Sequence, residues 1–491
     1  MNSICKELVH VALKRAEALV DFNIYDDLIK RIEFEQHIIL DDKSLNEDEK
    51  LDAIRIINKE YDQHKIIYNI GTKRKCENCQ LECLGTLYCE NCIRNYLKAE
   101  FSNWTTGNID VDNLIRKCQM ETIAPNIVIK WIPYNNLINV EYLTSGGFSE
   151  IYLADWIDGS YNKWDSKEQI LKVKSTYHKV VLKRLEVTGS INWFDEIKSH
   201  LTLSNKWFVV VKCYGVTQDP SDGNYMLVMH RLDINLEKYL RQYYDKLTWK
   251  IKIQIIYYIV RALIRIHKEN VIHRDLHSRN ILYLQKTNHW YISDLGLCGP
   301  VNKSLKSIYG NLPYVAPEVI IEKEYSRASD IYSIGILMWE ISTGQLPFAD
   351  QERDYSLAMN IINGMRPKIK SGTPLLYQEL MEQCWDVDPK KRPDTDTLWS
   401  KIHKMNKACY EENTNSNDII INSQLNNISP STINLSVERF SEIHTFEDLS
   451  SEQRNIIEDS QEAYHSKPYD FTISNDIEEK MKKLSCNNDK W

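Results

Sequence analysis

A chain of 491 residues, 43% hydrophobic and 26% charged, has the material for a sizeable core and for two to four domains. Its formal net charge of −8 argues against a general binder of nucleic acid or of anionic membrane, which would carry a broad basic face. Charges are mixed into residues 1–20 (Lys6, Glu7, Lys14, Arg15, Glu17), and no apolar run approaches the ~20 residues of a bilayer span. Neither a signal peptide nor membrane insertion is therefore expected. The cytoplasm or nucleus is the expected location, and the twelve cysteines are read as reduced or metal-bound, not as a disulfide frame.

Residues 1–70 read as a helical region. Leu8, Val11, Ala12, Ala16, Leu19 and Val20 recur at three-to-four spacing, and a second stretch runs through Leu28, Ile29 and Ile32. Ser44 and Glu47 have the spacing of a capping box, which opens a third helix through Leu51, Ile54, Ile57 and Tyr61. Packing is the simplest role for such a hairpin or bundle.

Residues 71–122 form a cysteine-rich segment and linker. Cys76/Cys79 and Cys89/Cys92 are two C-x-x-C turns nine residues apart. Two such turns can close a tetrahedral four-sulfur shell around a structural Zn²⁺; ordinary reduced thiols and a redox pair are the other readings. Cys83 is spare or a substitute ligand. With four protein ligands no open coordination position remains, so a zinc here would be structural.

Residues 137–405 begin with short β-like runs and become mostly helical, which indicates an α+β arrangement. A helical stretch at 249–268 carries Ile253, Ile256, Ile259, Val260, Leu263 and Ile266 on one side. HRDLHSRN follows at 273–280, then two β-like runs, then DLG at 294–296. Asp275, Asn280 and Asp294 thus flank one short hairpin that can bring their oxygens together. One carboxylate can take a proton from an alcohol, and the others suit Mg²⁺ with phosphate in its shell. Residues 406–491 are rich in Asn, Ser, Glu and Asp and read as a largely disordered tail, with a transient helix near 451–463.

These motifs resemble those of the protein kinases, and the match extends in order over 137–405. LTSGGFSEIY at 143–152 is similar to the glycine-rich loop, VVLK at 180–183 to the strand of the phosphate-binding lysine, and Glu196 falls on the helical face pattern of that lysine's partner. APE at 316–318, DIYSIG at 330–335 and KRP at 391–393 complete the pattern. The resemblance implies a bilobal kinase fold, a β-rich N-lobe and a helical C-lobe, with the helical region and a small zinc-type module preceding it. It implies ATP and Mg²⁺ as cofactors and protein hydroxyls as substrates. Asp275 would be the base, Lys183 with Glu196 would hold the phosphates, and Asn280 and Asp294 would hold Mg²⁺. Leu143, Gly146, Gly147, Phe148, Ile151, Val181 and Met229 would line the nucleotide, with main-chain groups near His230 and Leu232 on the adenine. Glu318 and Arg392 would form a buried ion pair.

Several positions depart from the pattern. Thr144 and Ser149 stand where glycines are usual, which narrows the approach of backbone to phosphate. His277 stands where Ser/Thr kinases carry lysine; Arg279, as in many tyrosine kinases, would supply the cation instead. The frame GNLPYVAPE at 310–318 favours Ser/Thr specificity of a tyrosine-kinase-like type. Arg274 beside Asp275 implies control by phosphate on Ser304, Ser307 or Tyr309. FSNWTTGN at 101–108 and WIPY at 131–134 resemble text from the expanded kinase family of mycorrhizal fungi. The expected activity is Ser/Thr protein phosphorylation in signalling. The alternatives are an inactive kinase-fold scaffold and a zinc-dependent nucleic-acid binder, against which the acidic balance counts. No nucleic acid is expected as a partner, and the sequence is silent on oligomeric state.

Overall fold

The computed structural model describes residues 4–145, 149–173, 177–185, 192–300, 308–322, 324–411 and 467–469. They divide into two compact units. The first comprises Met1–Tyr239, Tyr257–Arg274 and Ser278–Lys306; the second comprises Leu240–Ile256, Asp275–His277 and Ser307–Trp491. Among the described residues no helix is long and apolar enough to cross a membrane.

In the first unit, three helices (Lys6–Leu19, Leu28–Asp41 and Glu47–Tyr68) pack around Val9, Ala12, Ala16, Ile32, Ile39, Ala53 and Ile57. The small side chains of Ala12, Ala16 and Ala53 let the helices close on one another. The buried stripe is therefore offset from the one expected, and Leu8, Val11, Ile29 and Leu51 are exposed. The capping box also sits two residues further on. Asn46 Oδ1 accepts from Glu49 N and Glu49 Oε2 accepts from Asn46 N, both at 3.0 Å. Ser44 instead donates to Asp42, whose carboxylate lies within reach of its hydroxyl and its amide.

The cysteine segment pairs Arg74–Lys75 with Glu82–Cys83 and ends in the helix Glu90–Ala99. It is tied to the third helix by Asp62, which is fully buried and accepts from the Thr86 and Leu87 amides, each at 2.8 Å. Its apolar side packs on Trp164 and Leu171 of a hairpin, Tyr161–Asp165 with Ile170–Val173.

That hairpin interrupts a six-stranded sheet with the order Lys130–Trp131, Cys213–Gln218, Tyr225–His230, His178–Arg184, Glu150–Trp156 and Leu137–Ser145. All neighbours are antiparallel except the first pair. Gly215 makes that parallel pairing feasible, because a Cβ there would stand 1.8 Å from the Lys130 carbonyl oxygen. On one face of the sheet lies the helix Trp193–Ser204, opened by Asn192, whose side chain accepts from Phe194 N. A further helix, Ile109–Met120, buries Val111, Ile115 and Cys118 in the same core as Ile197 and Leu201. Gln119 and Asn205 lock it in place by donating to the carbonyls of Ile129 and Cys118.

The second unit is mostly helical. Arg327–Thr343, buried along nearly its whole length, runs beside Leu375–Cys384. An all-round apolar helix of this kind belongs at the centre of a helical layer. Arg392 donates from both terminal nitrogens to the two Glu318 oxygens at 2.7 Å, the expected buried pair. The last helix, Thr395–Glu411, runs past the expected boundary at 405, and Lys467–Tyr469 forms a strand. The helix expected near 451–463 lies outside the described residues.

Candidate active site

Lys183 is the penultimate residue of the strand His178–Arg184, opposite Ile151 on one side and Leu227 on the other. Strand alternation puts Val181 on the same face, opposite Leu153 and Met229. Lys183 Nζ lies 2.7 Å from Glu196 Oε1 and 2.6 Å from Asp294 Oδ1. The close approach of Glu196 depends on Gly296, since a Cβ there would come within 3.0 Å of the Glu196 carboxyl group. A glycine two residues after Asp294 is therefore a steric requirement of the ion pair as well as a turn residue.

The three charges lie together and respond differently. Burial opposes the Lys183 ammonium, but Asp294 and Glu196 outweigh it and raise its pKa. For Glu196, burial dominates over the cation and raises the carboxyl group. For Asp294 burial also works upward, yet the Lys183 ammonium wins and holds the carboxylate well below its usual range. The Asp294 side chain is 39% exposed, against 8% for Glu196. We take Asp294 as the firmly ionised member for that reason.

Asp294 adopts a left-handed backbone, φ 55°, as does Arg274, φ 71°. Such conformations cost non-glycine residues on the order of 1–3 kcal/mol and persist only where surroundings over-determine them. Here Gly296 N donates to Asp294 Oδ1, Leu295 N donates to His200 Nε2 and His273 Nε2 meets the Ser293 carbonyl. His200 was not singled out from the sequence. It lies one helical turn after Glu196, and burial followed by the Lys183 charge pushes it down to about 3. It therefore serves as a neutral acceptor for the turn that carries Asp294.

Asn280 is buried, and its carbonyl accepts from both the amide and the hydroxyl of Ser293, which ties the loop to the DLG turn. The Asn280 side-chain oxygen and the Asp294 carboxylate are hard-oxygen donors of the type Mg²⁺ takes, and the Asp294 side chain is 39% exposed.

In the second unit, Asp275 and His277 are both buried, with His277 Nε2 3.6 Å from Asp275 Oδ1. His277 thus stands against the carboxylate expected to act as the base. Arg279, expected to supply a cation to the site, donates through Nε to Glu237 Oε2 at 2.6 Å, with both side chains nearly buried. Nothing local in the sequence marks Glu237 as its partner.

The remaining expected residues are placed as follows. Met229 is buried at the end of Tyr225–His230, and Leu232 packs at the edge of the sheet core. The His230 amide donates to the Lys212 carbonyl, so this N–H is taken up within the protein. Leu143 is half-exposed on its strand, and Ile151 is partly buried. Gly146, Gly147, Phe148, Ser304 and Ser307 lie outside the described residues. Arg274, expected to await a phosphate, donates to the carbonyls of Leu297 and Pro300. Tyr309, expected as an acceptor in a loop, is buried in the strand Ile308–Gly310, so its hydroxyl is not presented to solvent.

At the cysteine segment, the four sulfurs of Cys76, Cys79, Cys89 and Cys92 lie within 4.8 Å of one another. The Cys76–Cys92 and Cys79–Cys89 separations are 3.6 and 3.7 Å. A tetrahedron with Zn–S bonds of ~2.3 Å has edges of about 3.8 Å, so the shell has the size of a zinc site. Burial opposes ionisation of Cys76, but the Cys79 and Asn78 amides bring it down to about 7; burial pushes Cys92 up to about 12. Cys83 is also buried and stands with Cys89 and Glu90 in a second, smaller cluster.

A strand ammonium paired with a helix carboxylate and with the carboxylate of the DLG turn is the phosphate-handling arrangement of kinase-fold proteins. Residues 137–402, more than half of the chain, match the family model described as protein tyrosine and serine/threonine kinase. The chain belongs to that family, with its β-sheet N-lobe and helical C-lobe. Among similar proteins, a probable serine/threonine-protein kinase of Dictyostelium discoideum (roco5) is 27% identical over 60% of this chain and 10% of its own length. The dual serine/threonine and tyrosine protein kinase of Pimephales promelas is 30% identical over 49% of this chain and 28% of its own. The mouse protein of the same name is 36% identical over 34% and 18%. The chain thus spans well under a third of the length of these relatives.

Proposed function

We propose that the chain is an ATP-dependent protein kinase that phosphorylates Ser or Thr hydroxyls of protein substrates. The observation that carries this reading is Lys183 held at 2.7 and 2.6 Å by Glu196 and Asp294, the assembled form of the phosphate clamp. Lys183 orients the nucleotide phosphates, and Asn280 and Asp294 hold Mg²⁺. When bound, Mg²⁺ neutralises phosphate charge. Asp275 accepts the proton of the substrate hydroxyl as its oxygen forms a bond to the γ-phosphorus; the bond from that phosphorus to the bridging oxygen breaks, and ADP leaves. His277 orients Asp275.

The two relatives with both activities in their names support testing tyrosine as an acceptor as well. The test is Mg²⁺-dependent transfer of labelled phosphate to a generic protein, followed by phosphoamino-acid analysis. Asp275→Asn is expected to lower kcat by about 10² to 10⁴ with little change in the KM for ATP. Equal labelling by the variant and the parent chain would falsify the enzyme reading.

The cysteine segment is read as a structural Zn²⁺ site on Cys76, Cys79, Cys89 and Cys92, supported by its sulfur spacings. The cytoplasm or nucleus is the proposed location. The text at 101–108 and 131–134 supports kinship with the expanded fungal family as a working assignment.

A further inference from the structure

Ile308–Gly310 stands immediately before Asn311 and the 3₁₀ turn Leu312–Tyr314, and it offers a main-chain edge. That edge is occupied by Lys467–Tyr469 from the far end of the same chain. The two strands are antiparallel, with Ile308 opposite Tyr469, Tyr309 opposite Pro468 and Gly310 opposite Lys467.

The register suits the sequence of the tail. In an antiparallel ladder alternate residues turn their N–H and C=O groups away from the partner strand. Tyr309 is such a residue, since its amide donates to the Tyr325 hydroxyl, which in turn donates to the Tyr309 carbonyl. Pro468, which has no N–H to give, stands opposite it. The missing donor therefore falls where no ladder bond is made. Ile308 and Gly310 are left to bond the residues on either side of the proline.

Tyr469 anchors the strand. Its side chain is only 6% exposed. Burial raises its hydroxyl, the Arg353 charge and the Leu312 amide work against that, and the Asp275 carboxylate adds to it. The turn that follows the edge also reaches the proposed base: the Tyr314 ring lies 6.0 Å from that of His277, whose Nε2 is 3.6 Å from Asp275 Oδ1, all inside the same compact unit.

We propose that Lys467–Tyr469 is an intrachain ligand of the Ile308–Gly310 edge, anchored by Tyr469, and that it competes with an extended segment of a protein substrate for the ground beside Asp275. The competition with substrate rests on the kinase reading; the docking of the tail does not. Strand addition of this kind takes affinity from main-chain hydrogen bonds and selectivity from one or two side-chain pockets. Three residues bind weakly on their own, but tethering in the same chain raises the effective concentration to on the order of millimolar. That is enough to occupy the edge and still yield to a partner.

Two measurements on the full chain test this separately. The first is binding of a fluorescent synthetic peptide spanning residues 463–472, read by anisotropy without nucleotide. The Tyr469→Ala chain is expected to bind it about tenfold more tightly than the parent chain, whose edge is already filled, and a peptide with the same substitution is expected not to bind. Equal affinity of the two chains, or no binding to the variant, overturns the docking. The second is steady-state phosphorylation of a protein substrate. Tyr469→Ala is expected to lower the KM for that substrate about tenfold while kcat and the KM for ATP stay the same. An unchanged KM overturns the competition. If no transfer is seen with either chain, the kinase reading fails while the peptide measurement still decides the docking.

Discussion

At the scale of single residues, the site is set by how few charges are buried and how fully they are matched. Lys183 is shared by two carboxylates, and Glu318 and Arg392 make a two-pronged pair with Arg392 wholly buried. Removing one partner leaves the other as an uncompensated buried charge. Glu318→Ala is accordingly expected to destabilise the second unit by about 3–5 kcal/mol, measured by urea unfolding; a change under about 1 kcal/mol means the pair is not structural. Residue-level reading of the sequence singled out Lys183, Asp275, Asn280 and Asp294 as candidates because each is embedded in a distinctive local string. It did not find Glu237 as the partner of Arg279, since the identity of an ion-pair partner 42 positions away depends on packing, not on neighbours in the chain.

The elements explain how those residues are held. Glu196 is aimed by the helix Trp193–Ser204, which is backed by Ile109–Met120 across Val111, Ile115, Cys118, Ile197 and Leu201. Ile115→Ala removes a fully buried side chain from that contact. It is expected to cost about 2–5 kcal/mol and to lower kcat/KM for phosphorylation. Ile93→Ala opens a comparable hole in the core of the cysteine segment and serves as the control, with a smaller effect on kcat/KM expected. If both variants lose activity equally, the backing helix has no special hold on Glu196. The cysteine segment carries its own test. Metal analysis of freshly purified protein is expected to give about one zinc per chain, and Cys92→Ser is expected to lose it and to lower the melting temperature. Protein that is folded and metal-free as purified would refute the zinc site. The two C-x-x-C turns were legible because ligand spacing is local. Their docking on Trp164 and Leu171 was not, because the hairpin that carries these residues shows no sequence signal for its partner.

For the molecule as a whole, the N-terminal helices belong to the same compact unit as the sheet and meet its residues through charged contacts. Glu17 pairs with Arg261, and Tyr68 accepts from Arg265. His64 lies among these groups, with Nδ1 3.0 Å from the Glu60 carbonyl. Burial, then the Arg265 and Arg261 charges, push it down to about 4. Between pH 6.5 and about 4 the unfolded chain therefore binds a proton that the folded chain refuses. Stability from this group is intact above pH 6.5 and falls with acidification, by about 1.4 kcal/mol per pH unit, until the folded pKa is reached. His64→Gln should remove that slope, so urea unfolding of both chains at pH 6.5, 5.5 and 4.5 should diverge in the parent's disfavour. Parallel curves would show that His64 is solvated in the folded protein. The sequence by itself determined the family, the order of its motifs and the residues proposed to handle phosphate, because catalytic groups are spaced along loops and strands in patterns that local chain geometry imposes. Only the tertiary structure decided what surrounds them: that Arg279 answers to Glu237, that His200 props the turn of Asp294, and that Lys467–Tyr469 lies along Ile308–Gly310. Those contacts join segments far apart in the chain, and burial and main-chain pairing select them by shape and by unfilled hydrogen bonds, which no local pattern records.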